Sequence, residues 1–289
     1  MELDPKFTGA RLRPYRIDVD RRRTTNYAAA VGDDNPLYFD DRRPGGLIAP
    51  PMQAVALTWP LSSNMGDYLE LEDFPRAVLM TQVHYTERLD FHRPVRPGDQ
   101  LTINGLVAAI LPHRAGTHCI MRYEAVDREN RPVFTEHIGA VFRGVSCRGK
   151  GVALELPEDP QGDWRAGPVW SRKIRIDPML PYVYDGCTDI VFAIHTSPAF
   201  AAGVGLPGII LQGTCILALA ARELVNREAG GDPARLKTLS CRFSGMVRPG
   251  AAISVELKCR NKEDLFFEVI NQAGEKAVGK GYLRIKDGF

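Results

Sequence analysis

Along this chain the spacing of apolar positions switches between a helical and an alternating period, and the switches mark out its elements. Positions 21–31 read as a helix opened by Asp20, whose carboxylate can accept from the unpartnered amides of a first turn, and stopped by Gly32-Asp33-Asp34-Asn35-Pro36. Pro50-Pro51 starts a second helix over 52–61, because first-turn amides have no helical partner that proline could remove. Its Ala54, Val55, Ala56, Leu57 and Trp59 leave little polar surface, which predicts burial all round. Strand-like runs follow near 78–91, 101–111, 117–126 and 132–142, broken by Arg96-Pro97-Gly98-Asp99 and by a polar turn over 127–131.

The same order then returns. An apolar helix is predicted over 209–227, with strands near 236–247, 253–260, 265–271 and 277–285. Between the two series, 149–168 is punctuated by Gly151, Pro157, Pro160, Gly162, Gly167 and Pro168 and reads as a linker. The domains expected are therefore 1–148, the linker 149–168, and 169–289. Three short matches in the same order point to duplication: Gly46-Leu47-Ile48 with Gly208-Ile209-Ile210, Arg96-Pro97-Gly98 with Arg248-Pro249-Gly250, and Tyr123-Glu124-Ala125-Val126 with Phe267-Glu268-Val269-Ile270. An antiparallel sheet wrapped round a long apolar helix buries that helix and one sheet face together, so the architecture predicted is an α+β one in which this unit occurs twice.

Composition narrows the function classes. The 289 residues carry 37 Lys+Arg against 35 Asp+Glu, and a net charge of +2 gives no field that would recruit nucleic acid or an anionic membrane. The longest apolar stretch, 208–221, is interrupted by Gln212 and Thr214 and is too short to span a bilayer. Met1-Glu2-Leu3-Asp4-Pro5 lacks the basic and apolar segments of a secretory leader, which predicts a cytoplasmic address. Cys119, Cys147, Cys187, Cys215, Cys241 and Cys259 are scattered, with no zinc or disulfide spacing. Gly203-Val204-Gly205-Leu206-Pro207-Gly208 spells a dinucleotide motif but follows a Ser-Pro turn instead of a strand. The acidic loop from Asp33 puts Tyr38 where a calcium loop needs glycine.

Two stretches carry a family resemblance. The first runs from Tyr27 through Gly32-Asp33-Asp34-Asn35-Pro36-Leu37-Tyr38 to Gly46-Leu47-Ile48-Ala49-Pro50-Pro51-Met52. The second is Ile194-His195-Thr196-Ser197-Pro198-Ala199-Phe200-Ala201 followed by Gly208-Ile209-Ile210-Leu211-Gln212-Gly213. Both resemble MaoC-like dehydratases, the (R)-specific enoyl-CoA hydratase (hydratase 2) family. The resemblance implies a double hot-dog fold with two sheets, each round its own helix, and an acyl-CoA hydratase or dehydratase, a hydro-lyase needing neither metal nor redox cofactor. Its site implies an Asp, then Asn-Pro, then a His five positions after the Asp, opposite a helix-start glycine. The first half keeps Asp33, Asn35 and Pro36 but has Tyr38 in place of the His, so it is expected to be silent and to shape the acyl site for a bulky chain. The second half keeps His195 and Gly213, while strict spacing puts Ile190 in the place of the Asp. Asp189 would regain that place through one extra loop residue.

The expected site is thus Asp189 and His195 as the acid/base pair and Gly213 as amide donor to the thioester oxygen. Each has an ordinary alternative: a turn cap for Asp189, a backbone-bonded loop imidazole for His195, and close packing at a helix start for Gly213. Arg21-Arg22-Arg23 and Arg42-Arg43 are candidates for the phosphates of coenzyme A or plain solvated runs. Two other functions stay open on the same fold: a thioesterase that activates water with a lone carboxylate, and a non-catalytic acyl-CoA-binding subunit. Open sheet edges make a homodimer the expected assembly.

Overall fold

The computed structural model describes residues 1–164 and 167–286; Arg165 and Ala166 of the linker and the last three residues of the chain lie outside the described residues. The first half contains β1 (Glu2–Leu3), β2 (Tyr15–Asp18), α1 (Arg21–Ala30), α2 (Pro36–Phe39), α3 (Gln53–Ser63), α4 (Met65–Tyr68), β3 (Gln82–Phe91), β4 (Gln100–His113), β5 (Gly116–Val126), β6 (Pro132–Arg143), β7 (Ser146–Cys147) and β8 (Val152–Ala153). The second contains β9 (Trp170–Arg175), α5 (Leu180–Thr188), α6 (Pro198–Gly203), α7 (Gly213–Glu228), β10 (Leu236–Phe243), β11 (Ala252–Asn261), β12 (Asp264–Ile270) and β13 (Lys276–Ile285).

Within each half the strands run in one order, β2-β4-β5-β6-β3 in the first and β9-β11-β12-β13-β10 in the second, all antiparallel. Identical topology on both sides is the duplication that the sequence matches pointed to. The two expected sheets are not separate. Strand β3 pairs with β10, Glu87 opposite Cys241 and Leu89 opposite Leu239, so the halves fuse edge to edge into one sheet of eleven strands. The expected linker begins inside the first half, since β8 pairs with β4 through Ile110 and Ala109.

One long helix sits in the concave face of each half. Helix α7 buries every residue from Thr214 to Ala221, together with Leu224 and Val225, and α3 buries Gln53 to Thr58 and Leu61. At roughly 25 cal/mol per Å² of apolar surface removed from water, such helices are held by the sheet far more than by their own propensity. This is a double hot-dog. Among the described residues no helix is long and apolar enough to cross a membrane.

The start of the second-half helix differs from expectation. The apolar run 209–212 is not helical: Leu211 donates its amide to Val247 O at 2.9 Å, and α7 starts at Gly213 with Gln212 as its cap. The first half does the same, Ala49 donating to Val95 O at 2.8 Å before α3. A short apolar run pressed against a neighbouring turn and the first turn of a buried helix have the same composition, so periodicity does not separate them.

Candidate active site

Each half carries a short helix, a left-handed cap and a loop, laid out residue for residue alike. Tyr27 of α1 and Tyr184 of α5 meet across the molecule, hydroxyl to hydroxyl at 2.7 Å, with rings edge-on at 5.8 Å. From Tyr27 to Tyr38 is the same number of positions as from Tyr184 to His195. In between, the positive φ falls at Gly32 (60°) in one half and at Asp189 (59°) in the other. The loops therefore match without an insertion: Asp189 stands where Gly32 does, Ile190 where Asp33 does, and His195 where Tyr38 does.

That equivalence corrects the expected pairing of Asp189 with His195. No extra residue swings Asp189 into the site. It closes α5 in the left-handed conformation, its amide bonded to Asp185 O at 3.1 Å, and its side chain is 63% exposed and paired with Arg23 at 3.4 Å. The position held by a carboxylate in the first half is filled in the second by Ile190, which is buried.

His195 ends a single 3-10 turn, Ala193–His195, and its ring is only partly exposed. Nδ1 lies 2.9 Å from Ile210 O. A carbonyl only accepts, so Nδ1 carries the hydrogen and Nε2 keeps its lone pair. Burial pulls the pKa of this imidazole down to about 4, and the bond to Ile210 offsets part of that effect, leaving a neutral base at neutral pH. Phe192, edge-on to the His195 ring at 6.2 Å, also packs edge-on to Phe200 at 5.8 Å, so one side of the imidazole is apolar.

Ile210, the residue that orients His195, lies three positions before Gly213, the first residue of α7. An amide in a first helical turn has no partner within the helix, and it sits at the positive end of the dipole. A Cβ on Gly213 would lie 3.1 Å from the Phe243 ring, so glycine lets Phe243 close over this helix end. Through its bond to Ile210 O, His195 is tied to the segment that leads into Gly213. The structure does not bring Asp189 to them.

The matching loop of the first half serves as packing. Asp33 is buried, accepting from the Asn35 amide at 3.3 Å and the Asn226 side chain at 3.5 Å, and burial raises its pKa despite those bonds. Asn35 accepts from the Leu37 amide at 3.0 Å and donates to Gly231 O at 2.6 Å, tying this loop to the far end of α7; Tyr38 is buried beside it. Of the arginine runs, Arg21 pairs with Asp41 at 3.0 Å, Arg23 with Asp189, and Arg42 with Asp40 at 2.7 Å.

Alternation along the sequence missed a polar cluster under the sheet. The ladder between β3 and β6 carries a bulge between His84 and Thr86, which shifts the alternation so that His84 and Glu87 share a face. Glu87 Oε2 lies 3.2 Å from His84 Nε2, and Glu136 of β6 faces Glu87 from the interior. Both carboxyls are buried, their oxygens make no well-aligned hydrogen bond, and burial drives both pKa values up. Two buried carboxyls in contact cannot both ionise, so the pair retains a proton near neutral pH. The His84 ring packs edge-on to Phe243 at 4.7 Å.

Comparison with known proteins bears on the whole chain. Residues 183–280 match the family described as MaoC like domain, and residues 6–136 match the family described as FAS1-like, dehydratase domain region. A relative from Mycobacterium tuberculosis named 3-hydroxyacyl-thioester dehydratase Y is 27% identical over 260 residues, 88% of this chain and 87% of that protein. A fatty acid synthase beta subunit from Emericella nidulans is 36% identical over 94 residues, 32% of this chain, and the chain spans only 5% of that protein's length. Among solved structures, a MaoC-like dehydratase from Phytophthora capsici superposes with a TM-score of 0.83 over 97% of both chains at 22% identity, a likeness of fold.

Proposed function

Because this chain belongs to the MaoC-like dehydratase family, we propose that it is a hydro-lyase that adds water reversibly across the double bond of a 2-enoyl-CoA, and in reverse dehydrates a 3-hydroxyacyl-CoA. The observation that carries the reading is the His195 tautomer: a neutral imidazole with its lone pair on Nε2, oriented by Ile210 O, three residues before Gly213, whose first-turn amide has no partner within its helix.

One imidazole of this kind balances the reaction. His195 Nε2 takes a proton from water as the water oxygen bonds to C3. The electron pair of the double bond moves to the thioester oxygen, where the Gly213 amide receives the charge, and the imidazolium returns its proton to C2. A single oxyanion donor contributes on the order of 100-fold or more, and a positioned general base about 100- to 10,000-fold. Asp189 is assigned to the helix cap and left out of the chemistry.

Phe192 and Phe200, both partly exposed beside His195, support a bulky acyl chain. Six free thiols fit a reducing compartment such as the cytoplasm. The sheet ends in β2 and β9, and such open edges support a homodimer. Incubating the protein with crotonyl-CoA and with larger enoyl-CoAs, and following loss of the enoyl absorbance, tests the reading. Hydration with CoA retained in the product is expected. Release of free thiol would reassign the protein as a thioesterase, and tight binding with no turnover would make it a carrier.

A further inference from the structure

The second half lacks something that its own loop does not supply. A lone imidazole can remove one hydrogen of water, but the water also has to be held with a lone pair aimed at C3, and Ile190 has nothing with which to grip it. The first half reaches toward this helix end through Phe243. Phe243, which closes over Gly213, has the His84 ring edge-on at 4.7 Å, so a residue of β3 stands one aromatic ring away from the proposed amide donor.

The chemistry of His84 is fixed by what lies behind it. Nε2 is 3.2 Å from both Thr86 O and Glu87 Oε2. Thr86 O can only accept, so Nε2 carries the hydrogen and Nδ1 keeps its lone pair, with no hydrogen-bond partner among the described residues. The β-bulge that turns His84 and Glu87 to one face is a local departure from regular pairing, of the kind that re-aims side chains beside active sites. The carboxyl pair Glu87 and Glu136 occupies the interior, where apolar residues would cost less unless the polar groups served something.

From this arrangement we infer that His84 is a second catalytic histidine, contributed by the first half, whose Nδ1 accepts the second hydrogen of the reacting water, and that Glu87 is its positioning residue. The inference rests on the hydration reading above. The balance is complete: one water hydrogen goes to His195 Nε2 and then to C2, while the other stays on oxygen throughout, bonded to His84 Nδ1, and becomes the hydroxyl hydrogen of the 3-hydroxyacyl product. Duplication has then not left the first half idle. It keeps no working loop of its own but supplies the water-orienting group to its neighbour.

Steady-state hydration of crotonyl-CoA by the full chain tests this, with variants His84→Ala, His84→Asn, Glu87→Gln and Glu87→Leu and the melting temperature recorded for each. His84→Ala is expected to lower kcat on the order of 100-fold with KM little changed, since an orienting contact acts chiefly in the transition state. His84→Asn, which places an amide oxygen near the Nδ1 position, is expected to recover about tenfold of that loss. Glu87→Leu should lose kcat without raising KM, and Glu87→Gln, which keeps an acceptor, should recover most of that loss. Wild-type turnover that His195→Ala abolishes and His84→Ala leaves intact overturns this inference alone. So do losses that follow the melting temperature and are equal in His84→Ala and His84→Asn. A wild-type chain that hydrates no enoyl-CoA overturns the hydration reading and this inference together.

Discussion

Asp189 shows how far one residue can be read from its neighbours in sequence. Its identity and its nearness to His195 made it a candidate acid, yet its backbone adopts the φ that Gly32 adopts in the other half, and its carboxylate meets Arg23 at the surface. What decided its role was a backbone angle, which spacing does not report. Asp189→Gly should therefore hydrate enoyl-CoA at close to the wild-type rate. Its stability should stay within about 1 kcal/mol of wild type, because glycine relieves the left-handed angle while an exposed ion pair is lost. Activity assays with denaturant melts check both, and a hundredfold rate loss would return Asp189 to the chemistry. His195 and Gly213 entered as candidates through the family resemblance, and the structure adds the bond that ties His195 to the segment leading into Gly213. His84 and Glu87 were not legible, because a β-bulge shifts the alternation by one position.

Among the elements, α7 carries two jobs at its two ends. Gly213 opens it beside His195, and from there to Asn226 the helix rises about 20 Å at 1.5 Å per residue. At that far end Arg222 donates to the carbonyls of Val31 and Gly32, Asn226 reaches Asp33, and Asn35 bonds Gly231 O. The loop that would be an active site in the first half works there as a clasp. Asn35→Ala should cost about 1–3 kcal/mol, by leaving buried partners unsatisfied, while kcat for hydration stays near wild type. Chemical denaturation and kinetics on the same sample check this, and a large fall in kcat at unchanged stability would contradict it. Helices α1 and α3, the body of α7 and most of the longer strands were readable from periodicity and from proline and glycine punctuation, whereas the short helices α2, α4, α5 and α6 were not. Nor was the start of α7, since its apolar lead-in pairs with Val247 instead of coiling.

For the whole molecule, the fused sheet buries groups whose titration opposes one another. His84, His118, His137 and His195 are all lowered to about 4, chiefly by burial. Unfolded, they titrate near the ordinary 6.5, so as pH falls from there toward 4 the unfolded chain takes up protons that the folded chain refuses, and stability is lost toward acid. Glu87 and Glu136 act in the other sense. Their raised pKa values keep protons on the folded chain that the unfolded chain releases, so stability is lost as pH rises above the normal carboxylate range. The melting temperature should peak near pH 6 to 7, and Glu87→Gln should flatten its alkaline side. A wild-type curve that keeps climbing above pH 8 would contradict the buried carboxyl pair. The duplication was visible in three short matches, but the β3–β10 seam that makes one sheet of two, and lets one half furnish the other, was not, because edge pairing leaves no spacing signal.

At the centre of the account, one half works through His195 while the other has lost its own reaction, and exchanging a single residue between them tests that directly. His195→Tyr writes the first half's residue into the second. Steady-state hydration of crotonyl-CoA by this variant is expected to fall about 100- to 10,000-fold with the fold intact by melting temperature. A variant that retains half or more of the wild-type rate would place the reaction elsewhere and contradict the account.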